Sequence, residues 1–131
     1  GGGGQPYNTY SPNDKQNFTL LMAEFRRQLD AQGQVDGKHY YLTAAMSAGQ
    51  DKIDMTEPSN YIQYLDFIDV MTYDYHGAWD AQGPTNFHAT LYADSADPSV
   101  GVARTYVTDT ALNYLNSKGV PYNKMLLGLP F

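Results

Sequence analysis

Apolar residues recur along this chain in two patterns. Phe18, Leu21, Met22, Phe25 and Leu29 come at three- and four-residue spacing, the period of one helical face. Ser11-Pro12-Asn13-Asp14 before them reads as a helix start: Ser11 as N-cap, Pro12 at the first helical position, an acid in the first turn. Gly33 reads as the C-cap. Runs of strand length follow at residues 40–46, 67–73 and 125–129. In the second, Phe67, Ile68, Val70 and Met71 are apolar at neighbouring positions, as in a strand buried on both faces of a parallel sheet. Pro58 opens a short helix reaching about Leu65. Val107, Ala111, Leu112 and Leu115 mark a last helix running to Lys118, with Gly119 after it.

The order is helix, strand, helix, strand, long loop, helix, strand. Alternation of this kind implies an α/β fold with parallel strands and right-handed crossovers. Residues 47–54 read as a loop. From Asp74 to about Thr105 there is little periodicity, and a loop this long within one domain is usually functional or disordered. Residues 1–10, with four leading glycines, read as a glycine-rich loop or linker rather than regular structure.

A chain of 131 residues suffices for one domain. Its net charge of −6 argues against nucleic acid, which needs a basic footprint, and against an anionic membrane surface. With no cysteine there is neither a disulfide framework nor a thiolate metal site. No apolar run is long enough to span a bilayer. Tyrosine occurs 12 times. Its ring and hydroxyl suit half-wet surfaces that stack sugars, and equally suit amphipathic packing.

The chemistry concentrates where the second strand ends, at Met71-Thr72-Tyr73-Asp74-Tyr75-His76-Gly77-Ala78-Trp79. Ligands of α/β folds bind at the C-terminal ends of strands. Hydrogen-bonding groups beside flat aromatic faces point to a sugar. Tyr73 and Asp74 also fit an ordinary strand-to-loop junction, and Trp79 a packing plug. Met46, ending the first strand, lines either the core or a cleft. The spacing of His76 and His88 fits no zinc pattern, so no metal and no cofactor is expected. Asp94 and Asp97 read as solvated. Glu24 lies in a helix and Glu57 precedes a proline, so neither is placed as a general acid.

Five segments together carry a family resemblance: residues 17–21, 41–45, 47–54, 64–74 and 127–131. They include Ser47-Ala48-Gly49-Gln50-Asp51-Lys52-Ile53-Asp54, the Met-Thr-Tyr-Asp motif followed by His-Gly-Ala-Trp, and Leu127-Gly128-Leu129-Pro130-Phe131. With these the chain resembles the family 18 glycoside hydrolases, the chitinases, over nearly its whole length. The resemblance implies a (β/α)8 TIM barrel, of which residues 1–131 look like one incomplete domain running roughly from helix 4 through strand 7. The family's Asp-x-x-Asp-x-Asp-x-Glu signature does not occur here and is expected just upstream.

The resemblance further implies substrate-assisted, retaining hydrolysis of β-1,4-N-acetylglucosamine linkages, an exception to the two-carboxylate scheme. In it Tyr73 and Asp74 position the acetamido group, Met71 floors the sugar, Trp79 stacks on an acceptor sugar, and Met46 is a further substrate-binding candidate. The implied partner is chitin or N-acetylglucosamine oligosaccharide, and the implied location is extracellular. Lacking the catalytic acid motif, this segment alone is expected to be inactive and poorly soluble, with open sheet edges. A chitinase-like lectin without hydrolytic activity is the alternative.

Overall fold

Three parallel strands form one sheet in the order β1-β2-β3: Thr43–Ser47, Phe67–Met71 and Met125–Leu127. The computed structural model that shows this describes residues 5–131. The leading glycines at 1–4 lie outside the described residues, and residues 5–10 are exposed turn and coil. The helices are α1 (Asp14–Asp36), α2 (Gln50–Ile53), α3 (Pro58–Tyr61) and α4 (Thr108–Ser117). Each parallel crossover carries helix, as such connections require.

The core lies between the sheet and these helices. Ile68 and Val70 of β2 pack with Met46 of β1, Met22 of α1, Tyr61 of α3 and Leu115 of α4. Phe18 meets Tyr61 edge to face, with ring centroids 5.4 Å apart. Asp66 anchors the start of β2 to the rest. It accepts the Leu42 N–H at 2.7 Å, lies 2.6 Å from His39 Nε2, and takes Arg26 from α1 at 3.3 Å. No helix among the described residues is long and apolar enough to cross a membrane.

Several expectations need correction. β2 is not buried on both faces. Ile68 and Val70 face the helices and are fully buried, whereas Phe67, Asp69 and Met71 on the other face are only partly covered. The residue at the middle of that open face is Asp69, in register with Ala45 and Leu126.

Helix α1 starts at Asp14 with Asn13 as N-cap, not with Ser11 as cap and Pro12 as first helical residue. Ser11 instead closes a turn ahead of the helix: its N–H donates to Asp14 Oδ2 (2.8 Å) and its Oγ accepts the Asn13 N–H (3.2 Å). The helix also runs past Gly33 to a left-handed Gly37 at φ 68°. Gly33 is needed for a different reason. A β-carbon there would sit 2.4 Å from the Lys38 carbonyl oxygen, where the chain folds back over the helix.

Residues 47–54 contain the single-turn α2. The helix at Pro58 ends at Tyr61 rather than Leu65, and β2 ends at Met71. The long loop holds a 3-10 turn at Gly101–Thr105.

Candidate active site

Beyond Met71 the chain stays in register with its neighbour for a few more atoms. Thr72 Oγ1 donates to the Gly128 carbonyl (2.7 Å), and the Gly128 N–H donates to the Val70 carbonyl (2.9 Å). Thr72 is buried, so the strand's alternation turns Tyr73 to the open face of the sheet. Gly128 admits the phenol ring there: a β-carbon at 128 would lie 2.7 Å from Tyr73 Cε1.

Asp74 then takes a left-handed backbone, φ 57°, a region Asp tolerates better than most residues. That turn, three residues past the end of β2, leaves the carboxylate exposed. Tyr75 folds back into the core, its hydroxyl 3.3 Å from Thr108 Oγ1 and its ring stacked on Tyr106 at 6.2 Å.

These residues line a cavity of about 230 Å³. Met71, Tyr73, Asp74 and Tyr75 form the β2 side. Ser47 at the end of β1 and Gly49 just after it, with Lys52 and Tyr106, form the other. Gly49 has no side chain because one would meet Tyr106 Cε1 at 2.9 Å. The Tyr106 hydroxyl donates to Asp51 Oδ1 (3.2 Å), and Lys52 Nζ donates to Asp51 Oδ2 (2.7 Å). Burial alone would raise the Asp51 carboxyl, but Lys52 and the Tyr106 hydroxyl outweigh it and the net direction is down. The hydrogen bond to Asp51 raises Lys52 in turn. Burial pushes the phenols of Tyr75 and Tyr106 up, so both remain neutral hydrogen-bonding groups at ordinary pH.

Met71, Tyr73 and Asp74 thus come together at one strand end. Met46 does not join them. It is buried among the helix-facing core residues, and Ser47, the next residue along β1, faces the cavity in its place. Trp79 is also outside the cavity lining. Its indole lies over Gly77, where a β-carbon would fall 2.5 Å from the ring, and it is 62% exposed.

The two loop histidines serve different partners. His76 Nδ1 is 3.3 Å from Asp80 and its Nε2 is 3.3 Å from Ser99 Oγ, while His88 Nε2 is 2.5 Å from Asp74 Oδ1. No cluster of three or more metal-ligating side chains occurs among the described residues. Asp97 is not free in solvent, contrary to expectation. It accepts the Ser99 N–H (2.9 Å) and Asn86 Nδ2 (2.6 Å) and so shapes the long loop. Glu24 is paired with Arg27, and Glu57 accepts the Thr19 hydroxyl (2.8 Å). Neither carboxylate reaches the cavity.

Tyr75, Tyr106 and Lys52 escaped selection from the sequence, and His88 was weighed there only as half of a metal pair. Lys52 lies within one of the five family segments, which was a usable signal. Tyr106 and His88 carry no local pattern. They reach the site only because the long loop and the start of α4 fold onto the end of β2.

Residues 3–131 match the profile of Glycosyl hydrolases family 18. Chitinase A1 of Niallia circulans is 42% identical over 98% of this chain, which covers 18% of that protein. Among solved structures, chitinase ChiA74 from Bacillus thuringiensis superposes with a TM-score of 0.89 at 44% identity, over 96% of this chain and 20% of its own. A variant of catalytic domain 2 of the Ostrinia furnacalis Group II chitinase, solved in complex with penta-N-acetylchitooctaose, gives 0.79 at 33% identity, over 92% of this chain and 29% of its own. The chain therefore spans about a fifth to under a third of these relatives' lengths. By its sequence match along nearly every residue, and by the fold it shares with these chitinases, the chain belongs to glycosyl hydrolase family 18.

Proposed function

We propose that the protein carrying this chain hydrolyses β-1,4-linked N-acetylglucosamine polymers, and that the cavity at the end of β2 holds the acetamido group of the sugar being cleaved. One observation carries the reading. In a family 18 chain, Met71, Tyr73 and Asp74 line a single cavity at the C-terminal end of the central parallel strand.

In the substrate-assisted route a carboxylic acid protonates the leaving oxygen, and the N-acetyl carbonyl oxygen attacks the anomeric carbon to give an oxazolinium ion. This chain's residues act on the second half of that step. The Tyr73 hydroxyl donates to the acetamido oxygen and holds it in line. The Asp74 carboxylate accepts from the sugar and places negative potential beside the developing positive charge. Met71 supplies an apolar floor. Trp79, exposed on its loop beyond the cavity, stacks on a sugar farther along the polymer.

Among the described residues Asp74 is the one carboxylate lining the cavity; on this reading the proton donor comes from elsewhere in the protein and the 131-residue chain alone does not turn over. Three parallel strands in sequence order, with helices on one face and an open opposite face, support placing them in a (β/α)8 barrel, roughly helix 4 through strand 7. On this reading residues 1–131 are one incomplete domain, and the protein works outside the cell, where an insoluble polymer is met.

The test is release of sugar from chitin, or of the chromophore from a chromogenic chitobioside, by the purified full-length protein. Release supports the hydrolytic reading. Binding of N-acetylchitotriose without release supports a lectin on the same residues. Neither binding nor release sinks both.

A further inference from the structure

A single side chain holds the carboxylate that the proposed reaction depends on. His88 Nε2 lies 2.5 Å from Asp74 Oδ1, and among the described residues no other donor bonds Asp74. Lys52 lines the same cavity, but its ammonium is engaged by Asp51 at 2.7 Å. The backbone of Asp74 is already set by its left-handed turn, which leaves two side-chain torsions free. A bond to Oδ1 removes that freedom and leaves Oδ2 as the unshared acceptor of a residue lining the cavity.

We infer that His88 is a positioning residue: by donating its Nε2 proton to Asp74 Oδ1 it fixes the carboxylate so that Oδ2 meets the sugar. A carboxylate only accepts, so the Nε2 of His88 carries the proton in this contact. The inference rests on the reading of Asp74 as sugar-facing.

The loop that brings His88 in is tied down on both sides. The His88 carbonyl accepts the Tyr75 N–H at 3.0 Å, one residue beyond Asp74. Two and three residues later, the carbonyls of Thr90 and Leu91 accept the N–H groups of Thr108 and Asp109 at 2.9 and 3.0 Å. Those are first-turn donors of α4, which have no partner within their own helix. Residues 88–91 therefore bridge the exit of β2 to the start of α4, and the imidazole stands on a fixed support. The two side chains are 48% and 64% exposed, and a contact that open adds little to folding stability. Its contribution is to orientation, where preset geometry at a reacting centre matters most.

The experiment compares His88→Leu, which keeps bulk and removes the donor, with His88→Gln, which restores an N–H at similar reach, in the full-length protein with a chromogenic chitobioside. His88→Leu is expected to lower kcat about 10- to 100-fold, the scale of a hydrogen bond to a charged group, with KM little changed. His88→Gln is expected to recover most of that loss, and both variants to melt with the wild type. In an Asp74→Gly background, which removes the acceptor and suits the left-handed backbone, His88→Leu is expected to cost nothing further, because it acts through Asp74. Wild-type kcat in His88→Leu overturns the inference. So does a full additional loss in the Asp74→Gly background, or an equal loss in both single variants with a lowered melting temperature. If the wild type binds N-acetylchitotriose without cleaving it, only the hydrolytic reading falls, and the same variants then report through Kd. A wild type that neither binds nor cleaves overturns the sugar-facing role of Asp74, and the positioning role of His88 with it.

Discussion

The ring of Tyr73 rests on the backbone at Gly128. A β-carbon at 128 would sit 2.7 Å from Tyr73 Cε1 and 2.6 Å from the Val70 carbonyl oxygen. The ring can rotate away from such an atom; the carbonyl belongs to the central strand and cannot move without breaking the sheet. Gly128→Ala is therefore expected to destabilise the protein by about 1–3 kcal/mol, as overpacking does. It should also displace the Tyr73 hydroxyl and lower kcat at least as much as loss of that hydroxyl. Thermal melts and chitobioside kinetics on one preparation check both. A variant with wild-type kcat would separate Gly128 from the site.

Tyr73→Phe keeps the ring contact with Gly128 and deletes only the donor. The expected result is a kcat lower by about 100- to 1,000-fold, the scale of losing one preorganised donor at a developing charge. Folding stability should be nearly unchanged, because the ring and its contact with Gly128 are kept. Steady-state kinetics beside a denaturant titration separates the two effects.

Asp66 links stability to pH. Burial raises its carboxyl, but the Leu42 N–H, His39 and Arg26 outweigh burial, and the folded-state value lies below the ordinary 3.8. A depressed carboxyl contributes stability that is fully present above the unfolded value and is lost as pH falls through the folded one. Acid denaturation should therefore steepen below about pH 4, and Asp66→Asn should flatten that limb while costing about 1–3 kcal/mol at neutral pH. Denaturant midpoints between pH 7 and pH 2 give both numbers. An unchanged acid limb in Asp66→Asn would assign the loss to other carboxylates.

Leu115 tests the layer that supports the sheet. It is fully buried on α4 against Ile68 and Val70 on the helix-facing side of β2. Leu115→Ala is expected to cost about 2–5 kcal/mol, while KM and kcat of the folded fraction stay near wild type. A catalytic defect larger than the folding defect would show that α4 also sets the site, through its contacts with residues 88–91.

Much of this protein is legible along its sequence. The three apolar runs become the three strands because their helix-facing side chains, Ile68 and Val70 among them, are buried against the helices. The helix of Phe18 and Met22 and the helix of Ala111 and Leu115 follow from the same periodicity. Tyr73 and Asp74 were identifiable because they stand where a strand meets solvent, and the motif around them is specific. Boundaries were harder. Gly33 looks like a helix stop, and only the return of the chain at Lys38 shows that it is a point of close approach.

What the tertiary structure decided is which of these residues meet. Alternation along β1 puts Met46 in the core and Ser47 at the cavity, and no local pattern distinguishes them until the sheet's covered face is known. His88 lies 14 residues from Asp74 across an aperiodic loop, and Tyr106 lies 55 residues from Asp51. Contacts at such separations leave no periodic trace, because they are made by hydrogen bonds and ring packing between whole elements. The sequence by itself determined the order of the elements, the family and the polar, aromatic end of the second strand. The fold alone determined the walls of the cavity and the histidine that holds Asp74 in place.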